Sequence, residues 1–363
     1  MLNYQNSELR VSESAAEAGT IRWKSPSNLA LIKYWGKYAR QYPRNPSISF
    51  TLNHACTDTQ LQYQSKGKAG TEIDLEFFFE GQKNEAFRQK LLLFLESIVP
   101  IFPFLQQFRL RIHSTNSFPH SAGIASSASS MSALALCLCS MERQLFGTLT
   151  DDAAFRQKAS YVARLGSGSA CRSVYPIMAI WGTNAVVAEA SNDFAVPYAS
   201  SIHDVFRSYH DDILIASRGE KSVSSRAGHA LMEDNIYAAS RYQQANQRFN
   251  DLLDALQKGD LEQFGRITEN EALTLHALMM TSEPSYLLMR PNSLAMIERV
   301  RAYREDTGHA LYFSLDAGPN LHLLYPDEIK TPVKSFIQSE LLPFCEQGEW
   351  IEDQVGAGPK LVF

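Results

Sequence analysis

The chain has 363 residues, of which 45% are hydrophobic and 20% charged, a composition typical of an ordinary globular protein long enough for two domains. Its formal net charge of -5 argues against a nucleic-acid-binding protein, which should carry a surplus of basic residues. An anionic ligand is still compatible with this charge, because a local basic pocket can lie on an acidic protein.

The first half of the chain is predicted to mix strands and helices. Alternating hydrophobic residues over 73–79 and 108–112 indicate two strands, with a helix at about 84–99 between them. A small, apolar helix should begin at Ser126 and end at Gly147, and another should cover about 151–164. Residues 177–190 are predicted to form a hairpin that turns at 182–184.

The second half is predicted to begin after a linker at 193–203. A buried strand at 211–217 should open it, followed by helices at about 229–257, 260–280 and 291–306. Two strands then complete it, one at 309–316 that ends at Asp316 and one at 321–326. This order predicts two α+β domains, covering residues 1–198 and 199–363.

The five cysteines show no pattern of disulfides or metal ligands. Their number is odd, and Cys137 and Cys139 lie in an apolar helical run, which indicates core packing. The N-terminal residues are polar, without the apolar segment of a signal peptide, and no stretch approaches about 20 consecutive apolar residues. We therefore expect a cytoplasmic protein with reduced thiols and no membrane-spanning segment.

The sharpest local signal is SFPHSAGIASSASS, residues 117–130. A strand, a loop and a helix that starts among serines direct backbone N–H groups and the positive end of the helix dipole at one point, which suits a phosphate. Gly123 permits close approach, Ala125 adds no bulk, and Ser126 and Ser127 supply hydroxyl groups. The loop lacks the Gly-Lys-Ser/Thr ending of a Walker A motif. A serine-rich helix N-cap without a ligand is the alternative.

Several motifs together resemble the GHMP kinase superfamily and, within it, the mevalonate diphosphate decarboxylase family. PHSAGIASSAS (119–129) is similar to the superfamily's second motif. The family is indicated by SPSNLALIKYWGK (25–37), LGSGSACRS (165–173), SSRAG (224–228), FSLDAGPN (313–320) and QVGAGP (354–359). These segments span nearly the whole chain in the family's order.

The resemblance implies an α+β GHMP kinase fold. Its N-terminal domain should be similar to the second domain of ribosomal protein S5, its C-terminal domain should be ferredoxin-like, and the active site should lie in the cleft between them. The implied reaction is the ATP-dependent decarboxylation of mevalonate 5-diphosphate to isopentenyl diphosphate. Mg²⁺ would enter with ATP rather than through a protein metal site, no redox cofactor is needed, and family members are commonly homodimers.

The resemblance assigns catalytic roles to Asp316, Arg172 and Lys33. Asp316 would orient or deprotonate the substrate's 3-hydroxyl, with Lys33 close to it. Arg172 would hold the substrate carboxylate through two parallel hydrogen bonds. On the isolated sequence, Asp316 is more typical of an aspartate that starts a turn, and the matching motif reverses that interpretation. For Arg172 the alternative is a surface arginine near a helix end.

The resemblance also implies a set of substrate-binding residues, several of which would hold the diphosphate. If residues 33–37 are extended, Lys33 and Lys37 share one face and Tyr34 takes the other. Ser167 and Ser169 could donate to substrate or phosphate oxygens, or serve only their turn. The implied substrate-binding residues are Tyr34, Lys37, Ser167, Ser169, Ser225 and Arg226.

Three segments depart from the family's usual pattern, at 38–39, 42–47 and 175–177. None removes a proposed catalytic group, but they leave open whether the substrate carries one phosphate or two. The alternatives are therefore a mevalonate 5-phosphate decarboxylase and a GHMP small-molecule kinase that stops after phosphate transfer. Arg172 argues against the kinase, because a kinase has no need to hold a carboxylate that leaves as carbon dioxide.

Overall fold

A computed structural model of the chain describes residues 3–12, 18–67, 70–119, 124–219, 223 and 225–363. Their strands form an eight-stranded sheet, a four-stranded sheet and a two-stranded sheet, and helices pack against the two larger ones. This mixture confirms the predicted α+β class. No helix in these ranges has the length and apolar character needed to span a membrane.

The first part of the chain supplies most of the eight-stranded sheet and all of the two-stranded sheet. Its longest strand alternates buried and half-buried residues from Ala55 to Tyr63, as a strand with one face on a core should. The strands are β1 (Gly19–Ala30), β2 (Lys37–Tyr38), β3 (Tyr42–Pro43), β4 (Ser47–Ser65), β5 (Asp74–Phe79), β6 (Gln82–Lys83), β7 (Phe108–Asn116), β8 (Met178–Trp181) and β9 (Val196–Pro197).

The second part of the chain forms the four-stranded sheet and returns one strand to the first. Its strands are β10 (His210–Leu214), β11 (Tyr312–Ser314), β12 (Leu321–Tyr325), β13 (Trp350–Ile351) and β14 (Lys360–Leu361). The four-stranded sheet has the order β11-β12-β10-β13 and is antiparallel. The eight-stranded sheet has the order β14-β1-β4-β7-β5-β6, with β8 paired to β4 and β9 paired to β8.

A large bulge interrupts the ladder between β1 and β4. Pro26 lies opposite Cys56, whereas Asn28 lies opposite Thr51, so residues 52–55 of β4 leave the regular pairing. The Asp353 carboxylate accepts hydrogen bonds from the backbone N–H groups of residues 53, 54 and 55 at 2.7–2.9 Å. The C-terminal part of the chain thus satisfies the amides that the bulge exposes.

Helix α2 is the central helix of the first part, and its small, apolar residues are buried from Ser132 to Met141. It ends where predicted, with Gly147 in the left-handed conformation at φ 65°. Cys137 and Cys139 are buried within it, and burial raises the pKa of both thiols. The helices are α1 (Glu85–Ser97), α2 (Ser126–Phe146), α3 (Asp152–Gly166), α4 (Ser225–Ala230), α5 (Ala238–Lys258), α6 (Leu261–Met280), α7 (Pro291–Thr307) and α8 (Lys330–Phe336).

The two larger sheets share a hydrophobic core. Leu29 and Phe50 of the first sheet pack with Phe249 of α5, Phe264 of α6 and Leu324 of β12, all of them buried. Burying a side chain of this size contributes about 1.5–3 kcal/mol. This shared core fixes the end of β1 relative to the end of β11, where the predicted catalytic residues lie.

The predicted hairpin at 182–184 was wrong. Strand β8 is followed by Gly182, which has a φ of 104°. A Cβ atom at this position would lie 2.9 Å from the Cα atom of Pro46. The Asn184 side chain then accepts hydrogen bonds from the N–H groups of Val186 and Val187, which forms a local turn instead of a strand. Strand β8 pairs with β9 rather than with residues 185–190.

Two predicted boundaries in the second half were also wrong. The helix expected from residue 229 begins at Ala238, because the Asn235 side chain accepts the Tyr237 N–H and starts a turn. The strand expected to end at Asp316 ends at Ser314, which places Asp316 two residues into the following loop.

Candidate active site

Lys33 and Asp316 form an ion pair where the two sheets meet. Lys33 follows β1, Asp316 follows β11, and the Lys33 Nζ atom lies 2.8 Å from Asp316 Oδ1 and 3.1 Å from Ser314 Oγ. Lys33 is only 2% exposed, whereas the Asp316 side chain keeps 20% of its surface. The structure therefore brings these two residues together as predicted and leaves the carboxylate accessible to a ligand.

Arg172 lies in a short 3-10 helix, Gly168–Val174, and is almost completely buried at 1% exposure. It donates to Ser49 Oγ at 2.9 Å, Ser47 Oγ at 2.5 Å and Asn28 Oδ1 at 3.1 Å. A guanidinium has five N–H donors, so two remain after these three bonds. Within the described ranges no carboxylate forms an ion pair with it, and its acceptors are all neutral.

Asp316 and Arg172 are close enough to influence each other electrostatically. Burial lowers the pKa of the Arg172 side chain, and nearby groups, the Asp316 carboxylate among them, act in the opposite direction. An arginine remains charged despite such a shift. The site thus places a buried cation with unused donors beside a carboxylate that is paired with a lysine.

Tyr34 presents a buried hydroxyl group that has no hydrogen-bond partner among the described residues. Its ring packs edge-on against Trp181, with 4.7 Å between ring centroids, and burial raises its pKa, so the phenol is neutral. Gly168 is required here, since a Cβ atom at this position would lie 2.8 Å from the Tyr34 hydroxyl. A buried hydroxyl in this state needs a partner, which a bound ligand can provide.

Lys37 does not share a face with Lys33. Residues 31–36 are irregular rather than a strand, and the Lys37 Nζ atom, in β2, donates to Gln41 Oε1 at 3.1 Å. Lys33 is buried against Asp316, whereas Lys37 is half-buried. The conditional prediction of a common face was therefore wrong, because the chain turns after β1.

The start of α2 is where the sequence predicts a phosphate-binding site. Ala125 adopts a left-handed conformation at φ 47° and ψ 41°, and no described side chain caps the helix. Ser126 Oγ accepts from Asn116 Nδ2 at 2.9 Å, and Ser127 Oγ lies 3.3 Å from Ser167 Oγ. None of the described serines accepts a capping hydrogen bond at this helix start. Gly123 lies outside the described residues.

The turn after α3 joins the other predicted serines to this site. Ser167 ends α3 and is half-buried next to Ser127. Ser169 is also half-buried, and its carbonyl accepts from Asn28 Nδ2 at 3.2 Å. The same asparagine therefore contacts this turn and Arg172.

The backbone of Ser225 and Arg226 opens α4, but their side chains lie outside the described residues. The rest of α4 packs on the segment that carries Tyr34 and Lys37. A Cβ atom at Gly228 would lie 2.5 Å from the Trp35 ring, and His229 Nδ1 accepts the Gly36 N–H at 3.0 Å. Burial lowers the pKa of His229 to about 3, with Lys37 acting in the same direction.

Sequence reasoning missed Asn28, Ser47, Ser49 and His229. Ser47 and Ser49 carry a usable signal, since residues two apart in a strand point to the same face. Nothing in the local sequence marks His229. Within the described part of the chain, no group of three or more His, Cys, Asp or Glu side chains is arranged to hold a metal ion.

Two family models match most of the chain. Residues 25–192 match the diphosphomevalonate decarboxylase-like N-terminal domain, and residues 212–359 match the mevalonate 5-diphosphate decarboxylase C-terminal domain. The diphosphomevalonate decarboxylase of Eremothecium gossypii is 27% identical over 334 residues, which cover 87% of this chain and 80% of that protein.

Solved structures show the same fold over nearly the whole chain. The mevalonate diphosphate decarboxylase of Staphylococcus aureus is 25% identical, with a TM-score of 0.81 over 96% of this chain and 99% of the other. A structure described as MDDEF in complex with MVAPP, AMPPCP and magnesium is 25% identical, with a TM-score of 0.78 over 95% and 99%.

The fold and its site define an α+β protein with the two-domain GHMP kinase fold, which confirms the predicted fold class. Within that class, the chain belongs to the diphosphomevalonate decarboxylase family.

Proposed function

We propose that the chain catalyses the ATP-dependent decarboxylation of mevalonate 5-diphosphate to isopentenyl diphosphate, with release of ADP, phosphate and carbon dioxide. The observation that carries this proposal is the buried Arg172, which has two unused N–H donors and no acidic partner within the described ranges. Two parallel donors suit a substrate carboxylate. An enzyme that only transfers a phosphate has no need of this group.

The proposed reaction divides between Asp316 and Arg172. Asp316 accepts a hydrogen bond, or the proton, from the tertiary 3-hydroxyl, while Lys33 fixes its carboxylate. Arg172 holds the substrate carboxylate beside it. The three neutral acceptors of Arg172 orient its guanidinium without neutralising its charge, so that it can position a group that later leaves uncharged.

The start of α2 fits the phosphates of ATP. Ser126 and Ser127 follow Ala125 in the first turn of α2, where the helix dipole favours an anion, and the sequence places Gly123 just before them. When bound, ATP supplies the phosphoryl group that makes the 3-hydroxyl a leaving group, and Mg²⁺ balances phosphate charge. The Mg²⁺ ion would be held mainly by phosphate oxygens.

The substrate diphosphate would be bound from two sides. Tyr34 offers its unpaired hydroxyl and Lys37 its ammonium from the first part of the chain. Ser225 and Arg226, at the start of α4, would bind it from the other side, since α4 packs on that segment. Ser167 and Ser169 lie in the turn beside Ser127 and would donate to substrate or phosphate oxygens.

The proposal includes the division into domains at 198/199, a homodimer and a cytoplasmic location. The gap between the two family matches, at 193–211, supports the division. Analytical ultracentrifugation of the purified chain would test the dimer.

ATP-coupled release of carbon dioxide tests the proposed activity. Mevalonate 5-diphosphate, mevalonate 5-phosphate and mevalonate would each be offered with ATP and Mg²⁺, and both ADP and carbon dioxide would be measured. We expect carbon dioxide chiefly from the diphosphate. A preference for the monophosphate would identify a mevalonate 5-phosphate decarboxylase, and ADP without carbon dioxide a kinase.

A further inference from the structure

A buried ion pair contacts the main chain of Lys33. Glu271 of α6 is fully buried and accepts two hydrogen bonds from Arg241 of α5, each 2.6 Å long. Arg241 is also buried, at 3% exposure. Both residues come from the second part of the chain, whereas Lys33 comes from the first.

This ion pair holds both polar groups of the Lys33 main chain. The Lys33 N–H donates to Glu271 Oε2 at 2.9 Å, and the Lys33 carbonyl accepts from Arg241 at 3.3 Å. Asn45 Nδ2 also donates to that carbonyl, at 3.2 Å. Residues 31–36 form no strand, so these contacts take the place of the pairing that would otherwise fix the backbone there.

Stability alone gives a weak reason for burying these charges. Removing two charges from water costs several kcal/mol per ion, and a well-packed apolar pair of similar volume often serves a core as well or better. The contacts of this buried ion pair with the Lys33 main chain give a functional reason for it. A side chain that must keep its ammonium 2.8 Å from a carboxylate needs a backbone that does not move.

We propose that Glu271 and Arg241, the Lys33 clamp, are positioning residues that fix Lys33 and through it the Asp316 carboxylate for reaction. This inference rests on the proposed function, in which Asp316 acts on the substrate hydroxyl. Both clamp side chains are buried, Arg241 at 3% and Glu271 at 0% exposure, so neither would contact a bound substrate. The effect of the clamp should therefore appear in kcat and not in substrate binding.

Arg248 provides a matched control. It also donates to Glu271, from Nη1 to Oε1 at 2.9 Å, but its other bond goes to Thr274 and it does not touch Lys33. Arg241→Met and Arg248→Met each remove a cation from the same carboxylate, and only the first also removes a hydrogen bond from the Lys33 carbonyl. We expect Arg241→Met to lower kcat at least ten-fold with KM for both substrates within two-fold, and Arg248→Met to lower kcat less than three-fold.

Combination with Lys33→Met separates positioning from loss of structure. If Arg241 acts through Lys33, Arg241→Met should change kcat less than two-fold in a chain that already carries Lys33→Met. Multiplicative losses in the double variant would overturn the proposal. So would equal losses of kcat in Arg241→Met and Arg248→Met at similar thermal midpoints.

Arg241→Lys gives a second, milder variant that retains a cation next to Glu271. A lysine has one nitrogen and cannot reproduce the two parallel bonds to Glu271 together with the contact to Lys33. We expect a kcat between those of the wild type and Arg241→Met, again without a change in KM. A wild-type kcat in Arg241→Lys and Arg241→Met would overturn the clamp alone, whereas a wild type that releases no carbon dioxide would overturn the proposed function.

Discussion

Asp316 shows what a single side chain must do at this site. In the proposed reaction it accepts from a hindered hydroxyl while it stays next to two cations, Lys33 at 2.8 Å and the nearby Arg172. The residue is also accessible, since a fifth of its side-chain surface is exposed.

We predict that Asp316→Ala lowers kcat by about 10²–10⁴-fold, the usual contribution of general acid–base catalysis. Binding of mevalonate 5-diphosphate, measured by calorimetry, should weaken by less than about three-fold, because the variant keeps the other binding groups. Asp306→Ala, at an exposed aspartate of α7, serves as the control and should have normal turnover. Normal turnover in Asp316→Ala would refute the assigned role.

Arg226 leads to a prediction about substrate choice. If its side chain binds the terminal phosphate, Arg226→Ala should weaken binding of the diphosphate by about 10–100-fold, the value of a hydrogen bond to a charged group. Binding of the monophosphate should fall much less. Arg266→Ala, on the exposed face of α6, should change neither affinity. Equal losses for the two substrates would count against this role.

Among the elements, α4 links the second part of the chain to the segment that carries Tyr34 and Lys37. One hydrogen bond between α4 and that segment runs from the Gly36 N–H to His229 Nδ1. The imidazole must be neutral to accept, and with a pKa of about 3 it stays neutral at all pH values at which the enzyme would be assayed. The bond therefore holds the segment that is proposed to bind the diphosphate against α4.

We predict different outcomes for two amide substitutions of His229. In His229→Asn the side-chain oxygen can take the place of Nδ1 and accept the Gly36 N–H, whereas the oxygen of His229→Gln lies one bond too far. His229→Gln should raise KM for mevalonate 5-diphosphate by about ten-fold, with kcat within about two-fold, and His229→Asn should stay near the wild type. Steady-state kinetics of the two variants measure this, and identical KM values would contradict it.

The elements that were predicted correctly have boundaries marked by residues within them or next to them. Helix α2 was predicted from its first residue to its last, because Gly147 marks its end and the serines its start. The hairpin at 182–184 failed because β8 pairs with β4 and β9 instead of with residues 185–190, and the local sequence does not specify that pairing. The contacts of the candidate active site also join residues that are far apart in the sequence. The partners of Arg172 lie 123 to 144 residues away, so only the fold brings them together.

At the scale of the whole molecule, a buried group of acids joins the two sheets. The Asp353 carboxylate binds the bulge of β4, and the Asp353 N–H donates to Asp212 Oδ1 at 3.2 Å. Asp212 Oδ2 accepts from the Tyr325 hydroxyl at 2.6 Å. Burial raises the pKa of Asp212 to about 6, although these hydrogen bonds act in the opposite direction.

This pKa makes stability depend on pH with a definite sign. Between about pH 4 and pH 6 the folded state binds more protons at Asp212 than the unfolded state, so the free energy of unfolding falls as the pH rises. A shift from 3.8 to about 6 corresponds to about 3 kcal/mol. Asp212→Asn removes this contribution.

We therefore predict that the stability of Asp212→Asn relative to the wild type increases by up to about 3 kcal/mol between pH 4 and pH 7. Urea unfolding of both proteins at four pH values across this range measures the difference. A difference that does not change with pH would show that Asp212 is ionised in the folded state throughout.

Strand β14 has a consequence for association between molecules. Residues 360 and 361 pair with Lys24 and Trp23, and the N–H of Arg22 donates to the carbonyl of Phe363, so this short strand occupies the outer hydrogen-bonding groups of β1. Removal of residues 360–363 would leave those groups open as a template for a strand from another copy. The last four residues thus protect the sheet from edge-to-edge aggregation, and a chain without them should sediment as larger particles while its catalytic residues are unchanged.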